Sequence, residues 1–191
     1  SISPMFVRGK GVIPMSQVIQ SGPQAGRVVL VWSDLNPIFS FPPPDFDTTV
    51  VSQVSTDYGQ TWSAPVPVHG LHPSFQFHPW MGRDPVRGDL YVGYYDTRQD
   101  PGNAATTWNL AASADGVTWT SSLVVSQAPS NAGFAGGNDM LEYNGVSVVD
   151  GCVYTCWADN SNFTGDNPDG ALAPDGFDVL TSVLMLDPFD N

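Results

Sequence analysis

The sequence predicts an all-β chain built from a repeated unit, and two observations carry that expectation. First, short apolar runs sit between Gly/Pro/Asn/Asp clusters at hairpin-like spacing. No stretch keeps a 3.6-residue apolar period with helix caps, and 17 prolines and 19 glycines punctuate the 191 residues. Second, Ser55-Thr56-Asp57-Tyr58-Gly59-Gln60-Thr61-Trp62 reads S-x-D-x-G-x-T-W, and Ser113-Ala114-Asp115-Gly116-Val117-Thr118-Trp119 repeats it one residue shorter.

The predicted elements follow in chain order. Ile2 to Val7 is strand-like and is a candidate closing strand, for this chain or a partner. Val28-Val29-Leu30-Val31-Trp32-Ser33-Asp34 is an apolar, β-branched and aromatic run closed by aspartate, and Leu90 to Asp96 and Cys152 to Asp159 align with it. The closing aspartates Asp34, Asp96 and Asp159 recur at intervals of 62 and 63 residues (34 to 96, then 96 to 159). Each run is followed by a Pro/Gly/Asn-rich loop and a second strand: Thr49 to Ser55, Thr106 to Ser113, and Asp178 to Leu186. The first two of these lead into the S-x-D turns. The chain reads as a single domain, 1–191, with units at about 12–70, 71–127 and 128–191 and residues 1–11 left for the closing strand.

The chemistry of the turn motif is that of a folding clip. Asp57 and Asp115 can accept backbone N–H groups, and Gly59 and Gly116 supply positive φ without strain. Ser55 and Ser113 open the turn, and the hydroxyls of Thr61 and Thr118 can hold its far side. Trp62 and Trp119 begin the outgoing strand and are expected to pack under the loop.

These segments resemble the Asp-box, or BNR repeat, of sialidase-like β-propellers. His78-Pro79-Trp80-Met81-Gly82, then Asp84-Pro85, then Leu90 to Arg98, resemble a blade of secreted bacterial BNR proteins. So do Asp139 to Asn144 followed by Val153 to Asn160. The resemblance covers most of the chain. It implies peripheral Asp-boxes remote from any active site, in a superfamily that includes enzymes, lectins and scaffolds.

A repeat of this length suits four short antiparallel strands with long loops, the content of one propeller blade. The chain holds about three such units, and the third lacks its outermost strand and its Asp-box. Propellers close with about four to eight blades. Three blades leave two sheet faces uncovered, and an uncovered apolar face costs about 25 cal/mol per Å². The expectation is therefore an incomplete ring, or half of a six-bladed one. A longer propeller, a second chain and a larger stacked assembly all remain open, so the expected partners are self-association or other blades.

Composition narrows the partners further. The net charge is −13, with six lysines and arginines against 19 aspartates and glutamates. Nucleic acid needs clustered Lys/Arg and is excluded, as are anionic membrane surfaces. No apolar run approaches the length of a membrane span. An acidic, lysine-poor, Thr/Ser/Asn-rich surface fits an extracellular, secreted or cell-surface protein, with any export signal already removed. Cys152 and Cys156 are i and i+4 on one predicted strand, about 13 Å apart, too far to bridge. They read as small buried side chains, with an intermolecular disulfide as the second reading.

The candidate chemistry is thin. The resemblance implies three arginines clamping a substrate carboxylate, a tyrosine nucleophile paired with glutamate, and an aspartate acid/base. The arginines here are Arg8, Arg27, Arg83, Arg87 and Arg98. Phe6-Val7-Arg8 is faintly similar to the family's opening motif, but Gly9-Lys10-Gly11 follows where Ile-Pro belongs. Arg98 follows a strand expected near the axis and is the best substrate-binding candidate, against a salt bridge to Asp96. Glu142, the only glutamate, precedes Tyr143 as a candidate nucleophile pair, yet adjacent strand residues face opposite ways. The arginine triad cannot be assembled. Gly136 to Gly145 resembles a blade-opening segment whose Asp139 and Glu142 are candidates to line a channel that takes a sugar or a cation.

Asp159-Asn160-Ser161-Asn162 and Asp166-Asn167-Pro168-Asp169-Gly170 supply hard oxygen ligands, which makes Asp166 and Asp169 candidates for calcium. Asx turns explain the same residues without metal. Asn162-Phe163-Thr164 is an N-glycosylation sequon. His69, His72 and His78 form no metal set. Trp32, Trp80, Trp108 and Trp157, with Tyr94 and Tyr95, read as core. Phe39, Phe41 and Phe46 around Pro42-Pro43-Pro44 make an apolar contact loop or a cover for the blade. The sequence therefore reads as an extracellular sialidase-like propeller module, non-catalytic, for glycan or surface binding or self-assembly. The alternative is a sialidase-type glycoside hydrolase, an exo-α-sialidase, represented by part of its propeller.

Overall fold

The computed structural model describes residues 13–35, 48–70, 74–131, 142–161 and 177–186. They form eleven strands: β1 (Met15–Val18), β2 (Val28–Leu35), β3 (Thr48–Ser55), β4 (Val66–Pro67), β5 (Gln76–Arg83), β6 (Leu90–Asp96), β7 (Thr107–Ser113), β8 (Leu123–Val124), β9 (Gly145–Val149), β10 (Cys152–Asp159) and β11 (Asp178–Met185). Among the described residues none is helical, so no helix is long and apolar enough to cross a membrane. The all-β expectation holds.

The strands form three antiparallel meanders. The first sheet has the order β1-β2-β3-β4, the second β5-β6-β7-β8 and the third β11-β10-β9. β2, β6 and β10 are the aligned runs of the sequence, and each occupies the second position of its sheet. Aligned on their closing aspartates, their faces correspond. Val29 and Val31 of β2 pack with Leu90, Val92 and Tyr94 of β6 in one core. Tyr91 and Tyr95 of β6 pack with Val153 and Trp157 of β10 in the other. Each sheet thus sends one alternate set of side chains forward to the next sheet and the other set back.

The second sheet is buried on both faces and organises the stack. Its forward core is aromatic: Tyr95 stacks on Phe77 with centroids 5.2 Å apart, and Trp108 lies parallel to Trp157 at 6.2 Å. Two buried hydrogen bonds orient this core, from Trp108 Nε1 to Thr155 Oγ1 (2.7 Å) and from Tyr95 Oη to the Ala158 carbonyl (2.9 Å). Burial raises the Tyr95 pKa far above the phenol range, so the hydroxyl stays a neutral donor.

Four expectations need correction. Trp62 lies against Gly59 of its own loop but stays 36% exposed, because among the described residues no neighbouring sheet covers it. Cys152 and Cys156 are free as expected, but half-buried, since they point forward from the third sheet, where among the described residues no further sheet covers them. Trp32 is half-buried and belongs to neither core, whereas Trp80 is half-buried but packs against the aromatic core. The His78-Pro79-Trp80 segment is not a regular strand start: the β5–β6 register shifts between Phe77 and Trp80, with His78 at φ 50°. The candidate strand Ile2 to Val7 and the Phe39-to-Phe46 loop lie outside the described residues.

Candidate functional site

Antiparallel pairing sends successive connections to alternate ends of each sheet, so the molecule has two unlike rims. One rim carries the connections 19–27, 56–65, 84–89, 114–122 and 150–151. At the opposite, long-loop rim β2, β4, β6, β8 and β10 end, and the sequence spacing to the next strand is longer there in every case but that between β4 and β5. Tight turns serve structure, whereas long loops on a rigid scaffold are where binding groups concentrate.

The turn rim holds both S-x-D motifs, built as their chemistry requires. Ser55 Oγ accepts the Gly59 N–H (2.7 Å) and donates to Asp57 Oδ1 (2.8 Å). Asp57 then accepts the Thr61 N–H (2.8 Å) and the Thr61 hydroxyl (2.6 Å). Those bonds, the Thr61 hydroxyl first, lower the Asp57 pKa from 3.8 to about 2. In the second turn Ser113 Oγ accepts the Gly116 N–H (2.8 Å), and Asp115 accepts N–H bonds from Val117 (2.9 Å) and Thr118 (2.7 Å). Partial burial opposes ionisation of Asp115, but the Thr118 and Val117 N–H groups outweigh it and its pKa is lowered. Gly59 and Gly116 sit at φ 86° and 77°, the left-handed region the sequence reserves for them.

The second turn also docks on the first sheet. Trp119 Nε1 donates to Ser52 Oγ (2.9 Å), and Ser52 Oγ donates onward to the Gly116 carbonyl (2.8 Å). Arg27 donates to the Asp115 carbonyl (3.2 Å). Neither turn carries an unengaged reactive group, so the two turns serve as scaffold.

The long-loop rim holds the charged cluster. Asp96, fully buried at the end of β6, pairs with Arg98 (2.6 Å) and accepts the Gln76 amide (3.1 Å) and the Arg98 backbone N–H (2.7 Å). The Arg98 guanidinium also donates to Tyr94 Oη (3.3 Å) and Ser122 Oγ (3.4 Å) and touches His69 Nε2. Gln76 in turn accepts the Val50 N–H (3.1 Å), which ties the cluster to the first sheet. Burial raises the Tyr94 pKa to about 12, so its hydroxyl remains neutral beside the cation. The salt-bridge reading of Arg98 is the one the geometry adopts, and the guanidinium is fixed with little surface of its own.

Glu142 and Tyr143 lie on the same rim ahead of β9, both exposed, and neither is hydrogen-bonded to the Arg98 cluster. Asn144 fixes this approach, donating its side-chain amide to the His78 carbonyl (3.0 Å). Asp159 accepts the Trp157 indole N–H (2.9 Å) and the Ser161 N–H (2.6 Å), which makes it a structural acceptor at the end of β10. Arg8, Asp139, Asn162, Asp166 and Asp169 lie outside the described residues. Among the described residues no group of three His, Cys, Asp or Glu side chains could hold a metal ion.

A cavity of about 340 Å³ opens beside the third sheet where β8 and β10 run out onto this rim. It is lined by Val125, Gln127, Trp157, Ser161, Leu180 and Ser182 among others, and no lining residue is ionisable at neutral pH. Its size suits one small ligand. Sequence reasoning named Asp96 as a partner of Arg98 but missed the cavity and the contacts of Arg98 with Tyr94, Ser122 and His69. Only the recurrence of Asp34, Asp96 and Asp159 signalled that the ends of these strands are special.

The chain matches no family model and no curated protein. Among solved structures it is similar to the Hadza microbial sialidase Hz136, with TM-score 0.51 and 17% identity over 77% of this chain and 32% of that one. It is also similar to the GH93 α-L-arabinofuranosidase of Fusarium graminearum, solved with arabinobiose, with TM-score 0.52 and 15% identity over 95% of this chain and 47% of that one. The chain spans about a third and about half of the length of these two structures. At such identities the likeness is one of fold, and it places the three sheets among β-propeller blades.

Proposed function

We propose that this chain is a sialidase-like propeller module that binds neutral glycan on its long-loop rim and does not hydrolyse it. One observation carries the reading: the best-placed cation on that rim, Arg98, is neutralised by buried Asp96 at 2.6 Å. A clamp for a sugar carboxylate needs a guanidinium with reachable free donors; here both terminal nitrogens are committed to Asp96, Tyr94, Ser122 and His69, and Nε is buried without a partner. The net charge of −13 adds a long-range repulsion for acidic sugars. The cavity beside the third sheet offers hydroxyls and an amide over apolar walls, the lining an uncharged sugar ring needs. The Asp-box resemblance supports the same reading, since those boxes are peripheral clips. The acidic, lysine-poor composition supports an extracellular or cell-surface location.

The test pairs binding with turnover. Calorimetric titration with neutral oligosaccharides is expected to show binding that Gln127→Ala and Ser161→Ala weaken, while fluorogenic sialosides and arabinofuranosides stay intact. Turnover abolished by Arg98→Ala would establish the sialidase-type hydrolase instead. Unchanged affinity in both cavity variants would remove the cavity from the account.

A further inference from the structure

The third sheet presents an open forward face. Tyr154 is 43% exposed, Val183 55% and Val179 64%, and Thr181 is exposed between them. The equivalent forward residues of the other sheets, Val29 and Tyr91, are 0% and 7% exposed, because the next sheet covers them. A cavity of about 510 Å³ lies against this face, with Tyr154, Cys156, Thr181 and Val183 in its lining and room for an aromatic side chain.

The internal repeat says what fits there. At the junction of the first two sheets, the second turn motif docks on the forward face of the sheet before it, and Trp119 donates to Ser52. Ser52 pairs with Val31 in the first sheet, and Thr181 pairs with Cys156 in the third. Val31 and Cys156 are equivalent positions, each three residues before the closing aspartate. Thr181 therefore occupies the place of Ser52 and carries the same hydroxyl. Likewise Val54, paired with Val29, corresponds to Val183, paired with Tyr154.

The complementary half stands at the other end of the molecule. The first turn motif is folded like the second, yet Trp62 is 36% exposed and Tyr58 is 88% exposed. On the backward face of the first sheet Val28, Leu30 and Trp32 are only half-buried, whereas their equivalents Leu90 and Val153 are 0% exposed. One end lacks the tryptophan donor that the other end holds out, and the other lacks the hydroxyl acceptor.

We propose that the open forward face of the third sheet docks the backward face of the first sheet of a second copy of this chain. Trp62 of the second copy then donates its indole N–H to Thr181. The contact is head-to-tail, and the same contact made twice closes a two-chain ring of six sheets. The negative charge of each copy opposes closure, so added salt strengthens it. The contact uses the end of the stack, and Thr181 and Ser182 border both this cavity and the one that opens on the long-loop rim.

Sedimentation of the 191-residue chain across micromolar concentrations tests it. The expected result is a species of twice the 20.5 kDa chain mass, favoured by salt. Val183→Asp and Trp62→Ala each weaken association about thirtyfold or more, as loss of a buried interface anchor does. Both positions are exposed in the single chain, so both variants fold. Mixing the two variants restores one intact junction and an open dimer, which a face-to-face contact through either surface alone would not do. A chain that stays monomeric at all concentrations, a dimer indifferent to both variants, or an open polymer in place of a closed pair would each overturn the proposal.

Discussion

The turns Ser55–Trp62 and Ser113–Trp119 have nearly the same letters and nearly the same internal hydrogen bonds, yet different surroundings. The second is pinned to the first sheet through Ser52 and Arg27. The first ends in a tryptophan that meets no neighbouring sheet. Local chemistry folds each turn, while the adjacent sheet decides whether the tryptophan is a packing element or an exposed ring. The motif is therefore two devices in one: a clip set by serine, aspartate and threonine, and a tryptophan that needs a docking surface.

Truncating the tryptophans separates the two devices most strongly. Trp119→Ala should lower unfolding stability by about 3 kcal/mol, the scale of losing a large packed aromatic and its buried partner contact. Trp62→Ala in dilute solution should cost less than about 1 kcal/mol, since little burial is lost. Urea unfolding of the two variants side by side measures the gap.

The glycines give a smaller contrast of the same kind. A Cβ at Gly116 would lie 2.8 Å from Val29 Cγ2 in addition to the positive-φ strain. A Cβ at Gly59 would meet nothing nearer than Trp62 at 3.7 Å. Gly116→Ala should therefore cost about 2–3 kcal/mol and Gly59→Ala about 1 kcal/mol. Equal losses would mean that the second turn is not pressed against the first sheet.

Acid gives the smallest contrast and addresses the clips alone. Its hydrogen bonds, that from the Thr61 hydroxyl first, lower the folded Asp57 carboxyl from the ordinary 3.8 to about 2, so the folded state binds fewer protons between those values. The stability it contributes is present above about pH 4 and is lost as pH falls toward 2. Asp115 and Asp100 are lowered as well, Asp100 by the N–H groups of Ala105, Gly102 and Ala104, and act in the same direction. Asp57→Asn should lower the neutral plateau and flatten the acid limb, so that variant and parent converge as pH falls toward 2. A profile unchanged by the substitution would show that these bonds do not hold the folded carboxylate.

Much of the fold was legible because it is local and periodic. The runs at Val28, Leu90 and Cys152 became the second strands of the three sheets, and the turn residues took the bonds their chemistry demands. What lay between distant segments was not legible. Arg98 meets His69, 29 residues away, only because the connection 68–75 and the connection 97–106 share a rim. Trp119 meets Ser52 across 67 residues. The bulge at His78 brings Phe77 and Trp80, three residues apart, to the same aromatic core, which no alternation pattern records. The same limit explains the mistaken burial of Trp62: the motif specifies the ring's position in the turn, and only a neighbouring sheet can cover it.

The most direct test of this two-device account is indole N–H hydrogen exchange, followed by NMR for both tryptophans from dilute to concentrated solution. The account predicts a Trp119 indole protected at every concentration through its bond to Ser52. It predicts a Trp62 indole that exchanges freely when dilute and becomes protected as copies associate. Equal protection of both indoles in dilute solution, or a freely exchanging Trp119, would contradict it.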